Sequence, residues 1–83
     1  MSELDHLNEL VRELADCAGS QCALLLEHLE SARFYLSGAM PLEYRMSLLM
    51  ARNQLKCVPN EGFRAQLADF IQSQLQDHRP ILK

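Results

Sequence analysis

Apolar residues recur at Leu4, Leu7, Val11, Leu14, Ala18, Cys22, Leu25, Leu29, Ala32 and Leu36, in steps of three and four. That spacing traces one face of an α-helix and constrains the fold more than any other feature of the chain. Strand signals are nearly absent. The β-branched residues are Val11, Val58, Ile71 and Ile81, none in a run, and there is no threonine. Ser2, with Asp5 three residues on, suits a helix N-cap, and Gly38 suits a C-terminal stop. Gly19-Ser20 interrupts the segment, and Ser20 is placed to cap a new helix. Two arrangements fit: one long helix over about residues 3–37, or two helices broken near 17–20. The broken or kinked arrangement is favoured, because separate elements of near-equal length pack as a bundle, whereas one long helix leaves apolar surface uncovered.

Pro41 fits the first turn of a further helix. Leu42, Met46 and Leu49, with Tyr44, Leu48, Ala51, Leu55 and Val58, give that helix a broad apolar face, of which Leu42-Met46-Leu49 is the expected inward side. Pro59-Asn60 ends it, with Asn60 as the next N-cap, and Phe63, Leu67, Phe70, Ile71 and Leu75 carry the last stripe towards Pro80. The expectation is an all-α fold: a small antiparallel bundle of three or four helices forming one domain over residues 1–83.

At 83 residues, one apolar core is close to the lower limit for outweighing chain entropy unaided, with ~3–5 kcal/mol expected. Cys17, Cys22 and Cys57 are an odd number, and Cys17 and Cys22 share one helical region where a mutual bridge fits poorly. They read as reduced thiols. The opening Met1-Ser2-Glu3-Leu4-Asp5 lacks a basic stretch followed by an apolar run, and runs such as Ala23 to Leu26 are far too short for a bilayer. A cytoplasmic protein with no membrane association is expected.

Charge is uneven. Residues 1–30 hold seven acids and one base, whereas residues 31–83 hold seven bases and four acids, for a net charge of −3. This separation favours packing of the first part on the later part, or head-to-tail self-association, and argues against general nucleic-acid affinity. Arg45, Arg52 and Lys56 form a basic stripe at helical spacing, with Arg64 beyond it. A small nucleic-acid-binding regulator is therefore the alternative, although the segment after Pro59 has no base-reading set near its start.

No reactive constellation appears. The Cys17-to-Cys22 spacing is not that of a zinc knuckle, and His6, His28 and His78 are scattered, so neither metal nor cofactor is expected. There is no glycine-rich loop and no nucleophile beside a base, so the chain does not read as an enzyme. What stands out is a surplus of apolar residues. Leu24-Leu25-Leu26, Phe34-Tyr35-Leu36 and Leu48-Leu49-Met50 place apolar atoms around whole helix circumferences, and Met40, Met46 and Met50 add flexible thioethers suited to adaptable surfaces. The expected function is protein–protein interaction, as adaptor, chaperone or inhibitor, with self-association into a homodimer or larger assembly. The expected contact residues are Phe34, Tyr35, Met40, Tyr44 and Leu48, flanked by Arg45, Arg52 and Lys56.

The pattern Leu29, Leu36, Gly38, Pro41, Tyr44, Leu49 resembles the helical hairpin of the small bacterial co-chaperones of type III secretion needle subunits. That family joins two helices through a Gly-x-x-Pro-x-x-aromatic turn, and the likeness covers about a quarter of the chain. It implies a partner chaperone bound through the apolar face of the hairpin, with Leu36, Tyr44 and Leu48 as contacts.

Overall fold

The computed structural model describes residues 2–77. It contains four α-helices: α1 (Glu3–Ala18), α2 (Ala23–Ser37), α3 (Pro41–Arg52) and α4 (Glu61–Asp77), with a short 3₁₀ turn (Leu55–Cys57) before α4. The protein is thus an all-α bundle, and the first segment is two helices. Ser2 Oγ accepts from the Asp5 N–H at 3.1 Å and Asn60 Oδ1 from the Phe63 N–H at 2.9 Å, so both expected caps occupy orphan donors. Ser20 does not cap α2. Cys22 holds that place with no side-chain cap, and its own N–H stays on the Ala18 carbonyl at 2.8 Å. The expected stop of α4 at Pro80 lies outside the described residues.

Cross-helix contacts fix an up-down-up-down order. Asn8 of α1 meets Arg33 of α2, Tyr44 of α3 meets Gln74 of α4, and His6 of α1 lies edge-on to Phe70 of α4 with ring centroids 4.9 Å apart. Each pairing joins the start of one helix to the later half of another, so neighbours run antiparallel. The inner faces form one cluster. Leu7, Leu14, Leu25, Leu29, Leu48, Leu67 and Ile71 are fully buried, and Val58 closes the cluster from the segment before α4.

The turn between α2 and α3 departs from its simplest reading. The Met40 N–H bonds to the Tyr35 carbonyl and the Ala39 N–H to Leu36, the crossed pair that closes a helix with a left-handed residue after its cap. That residue is Ala39 (φ 55°), while Gly38 sits one place earlier at φ −89°. An alanine there carries the left-handed cost of about 1–2 kcal/mol that glycine avoids. Ala39→Gly is therefore expected to raise stability by about 1 kcal/mol, or roughly 4–8 °C in Tm. An unchanged or lowered melting temperature would refute the assignment of this turn.

Two expectations need correction. The third helix ends at Arg52, not at Val58. The Gln54 N–H bonds three residues back to Ala51, tightening the chain into the 3₁₀ turn that turns Val58 into the core, extended ahead of Pro59. The cysteines are also not all reduced. Cys22 and Cys57, 35 residues apart with Cα atoms 5.6 Å from each other, form a disulfide, and Cys17 is a free, exposed thiol. Helical spacing rightly separates Cys17 from Cys22, but it says nothing of Cys57, which tertiary packing delivers to the α1–α2 corner.

Candidate protein-binding face

α3 carries two competing apolar stripes, and the bundle buries the one expected outside. Tyr44 is 1 % exposed and Leu48 is fully buried, so neither is available to a partner. Of the three contacts implied by the co-chaperone resemblance these two lie inside the protein, and Leu36 is half-buried. Leu42 and Met46, expected inward, are 65 % and 58 % exposed, and Met50 is 49 % exposed. Leu49 is half-buried against the core. The reason is continuity. Tyr44-Leu48-Ala51 runs on through Leu55 to Val58 past the helix end and so buries more apolar surface than the three-residue alternative. The length of that stripe is the signal that distinguishes the two faces.

A buried polar pair anchors Tyr44. Its hydroxyl lies 2.5 Å from Gln74 Oε1 and donates to it. Burial pushes the phenol well above its ordinary pKa of 10.0, and the Glu3 carboxylate adds to the rise. A group whose folded-state pKa is raised contributes its full stability below the unfolded value and loses it as pH climbs towards the folded one. Stability should thus fall above pH 10 by about 1.4 kcal/mol per pH unit from this residue. Tyr44→Phe should cost about 1–3 kcal/mol at neutral pH by stranding Gln74 Oε1, and should remove that alkaline loss. Urea unfolding at neutral and alkaline pH checks this, and equal alkaline slopes in the two proteins would contradict it.

The remaining expected site residues divide. Phe34 is 67 % exposed and meets the half-buried Tyr35 edge-on, with centroids 5.5 Å apart, and Met40 is 39 % exposed at the turn. Arg52 and Lys56 are exposed. Arg45 is half-buried and donates to the Leu75 carbonyl at 2.8 Å, and Arg64 donates to the Val58 carbonyl at 3.1 Å. The basic stripe is therefore split, with two guanidinium groups serving the fold and two charges left outward.

The outer surface of the α2–α3 hairpin gathers apolar side chains, whereas depressions of about 330 and 390 Å³ beside α1 are lined largely by polar and charged ones, Phe34 lining the larger. A depression of about 280 Å³ runs along α3, lined by Tyr35, Leu42, Glu43, Met46, Ser47 and Met50. A second, of about 260 Å³, lies at the turn between Tyr35, Leu36, Ala39, Met40, Pro41 and Tyr44. Tyr35 is the wall they share, so the face extends from Met40 to Met50. Leu24, 49 % exposed on α2, is a further apolar residue that the sequence did not single out as a contact. Among the described residues no group of three His, Cys, Asp or Glu side chains could hold a metal ion, and no helix is long and apolar enough to cross a membrane. Compared with protein-family models, curated proteins and solved structures, the chain matches none.

Proposed function

We propose that this protein acts by holding another protein on the outer face of the α2–α3 hairpin, as an adaptor, chaperone or inhibitor, and not by catalysis. One observation carries the reading: Leu42, Met46 and Met50 stay 49–65 % exposed although the opposite face of the same helix already fills the core. Three large apolar side chains four residues apart make a contiguous patch, and such patches mark interaction sites more often than isolated exposed residues do. Two are methionines, whose flexible thioethers repack around a partner. The hairpin is also the segment that resembles the type III co-chaperones, so a co-chaperone role is the narrower form of the same proposal. Self-association through this face is the competing reading, separated from a different partner by the mass of the cross-linked adduct. The nucleic-acid alternative retains only Arg52 and Lys56 as outward bases of its four, because Arg45 and Arg64 bind backbone carbonyls. A cytoplasmic site of action goes with an open Cys22–Cys57 pair, since reducing compartments keep such thiols apart.

The test places a photo-reactive benzoylphenylalanine at position 46 and, as control, at Gln72 on the exposed side of α4, in the living cell. A discrete adduct is expected from position 46 alone, and its mass tells a second copy from a different protein. Indistinguishable patterns from the two positions would sink the proposal.

A further inference from the structure

The protein-binding reading names a face but not an occupant, and the charges around the face narrow the choice. Arg52 closes the last turn of α3 and Lys56 follows in the 3₁₀ turn, both exposed. Neither has an ion-pair partner among the described residues, where the ion pairs are Arg33–Glu30 and Arg64–Glu61. At the other end Glu43 lies in the first turn of α3 and lines the depression. The apolar stripe thus has a positive end at Arg52 and Lys56 and a negative end at Glu43. It is short, since α3 has 12 residues, or about 18 Å.

A second copy of the chain fits this surface poorly. An antiparallel α3–α3 pair centred on Met46 sets the flank bearing Arg45 and Arg52 against itself, and a parallel pair brings the two Arg52–Lys56 ends together. Docking α3 onto α1 of another copy would satisfy charge, because α1 exposes Glu9, Glu13 and Asp16. However, Leu7, Leu10, Val11 and Leu14 of α1 are already buried in its own core and leave the stripe no apolar counterpart.

We infer that the face receives one amphipathic helix of a different protein, about three turns long, that lies antiparallel to α3. Its apolar residues at i, i+4 and i+7 fill the depression between Tyr35, Leu42, Met46 and Met50, and acidic residues in its first turn meet Arg52 and Lys56. This inference rests on the protein-binding reading and adds the partner's class, polarity and direction. The antiparallel direction follows from charge: an acidic first turn is stable at a helix N-terminus, and only an antiparallel helix brings that end to Arg52 and Lys56.

The experiment selects binders from a phage-displayed library of helical peptides about 14 residues long against the full chain, with a sedimentation run beside it. The expected result is enrichment of apolar i, i+4, i+7 helices bearing Asp or Glu in the first turn. Affinity for the synthesised winner should drop at least about tenfold with Met46→Glu or Leu42→Glu, and similarly with Arg52→Glu/Lys56→Glu, and should weaken with added salt. All four positions are exposed, so these variants should keep the parent's helicity and melting curve. Enrichment of apolar helices without the acidic first turn, bound equally by the charge-reversed variant, would overturn this inference and leave the protein-binding reading standing. A dimer in sedimentation that Met46→Glu dissociates would overturn it in favour of a second copy. No enriched helix together with a monomer would overturn both.

Discussion

Opening the Cys22–Cys57 disulfide is expected to lower the unfolding free energy by about 3–4 kcal/mol, since the bridge spans 35 residues and closure entropy of that size is removed from the unfolded chain. The core of a chain this small supplies only ~3–5 kcal/mol unaided, so the bridge's share is comparable with it. The corresponding fall in Tm is roughly 15–30 °C. Thermal melts with and without a phosphine reductant measure it directly, and Cys57→Ala should reproduce the reduced melt without reductant. Cys17→Ser serves as control, because Cys17 is exposed and unpaired and should leave the curve unchanged. Counting thiols in denaturant should find one before reduction and three after. Coincident melts, or three thiols from the start, would remove the bridge from the account and restore the reading of three reduced cysteines. The effect also bears on where the protein works, because in a reducing compartment the less stable, unbridged form is the resident one.

Leu48→Ala should cost about 2–5 kcal/mol, because a fully buried leucine leaves both its transfer energy and a cavity behind. Met46→Glu, two residues earlier on the same helix, should shift stability by no more than about 0.5 kcal/mol, since its side chain is 58 % exposed. Tyr44→Glu should behave as Leu48→Ala does, or worse, by burying a carboxylate where the Tyr44–Gln74 pair now sits. These outcomes invert the sequence-based expectation for Met46, Tyr44 and Leu48, whereas Leu49, expected inward, does pack half-buried against the core. Circular dichroism melting on the three variants decides between the faces. If Met46→Glu unfolds the protein while Leu48→Ala does not, the bundle is packed the other way round.

The face of α3 could not be read locally, for a physical reason. Leu42-Met46-Leu49 and Tyr44-Leu48-Ala51 are each apolar at helical spacing, and a helix wheel alone gives no ground for preferring one. The choice is made by what lies across the interface. Gln74 on α4 offers Tyr44 a hydroxyl acceptor, and Val58, beyond the helix end, extends only the second stripe inward. Leu55 and Val58 were visible as a continuation, so the winning stripe was legible in part. The partner for the phenol was not, because it lies 30 residues away. The same distance problem hid the disulfide and the service of Arg45 to the Leu75 carbonyl.

Much of what local spacing carries was legible in the sequence itself. Steps of three and four made helices, missing β-branched runs argued against strands, and Ser2 and Asn60 marked two helix starts, while Gly19-Ser20 favoured a break without excluding one long helix. These follow from backbone sterics, capping hydrogen bonds and amphipathic periodicity, which act within a few residues. Tertiary structure completed the choice of which side of α3 faces out, and alone decided which cysteines pair, which bases remain free beside the apolar stripe, and that Ala39, not Gly38, takes the left-handed place in the α2–α3 turn. Each of these depends on groups brought together from distant segments, or on the angle at which two helices must meet. Burial is a competition among all faces for one small core, so a residue's place in it is not a property of that residue's neighbours in the chain.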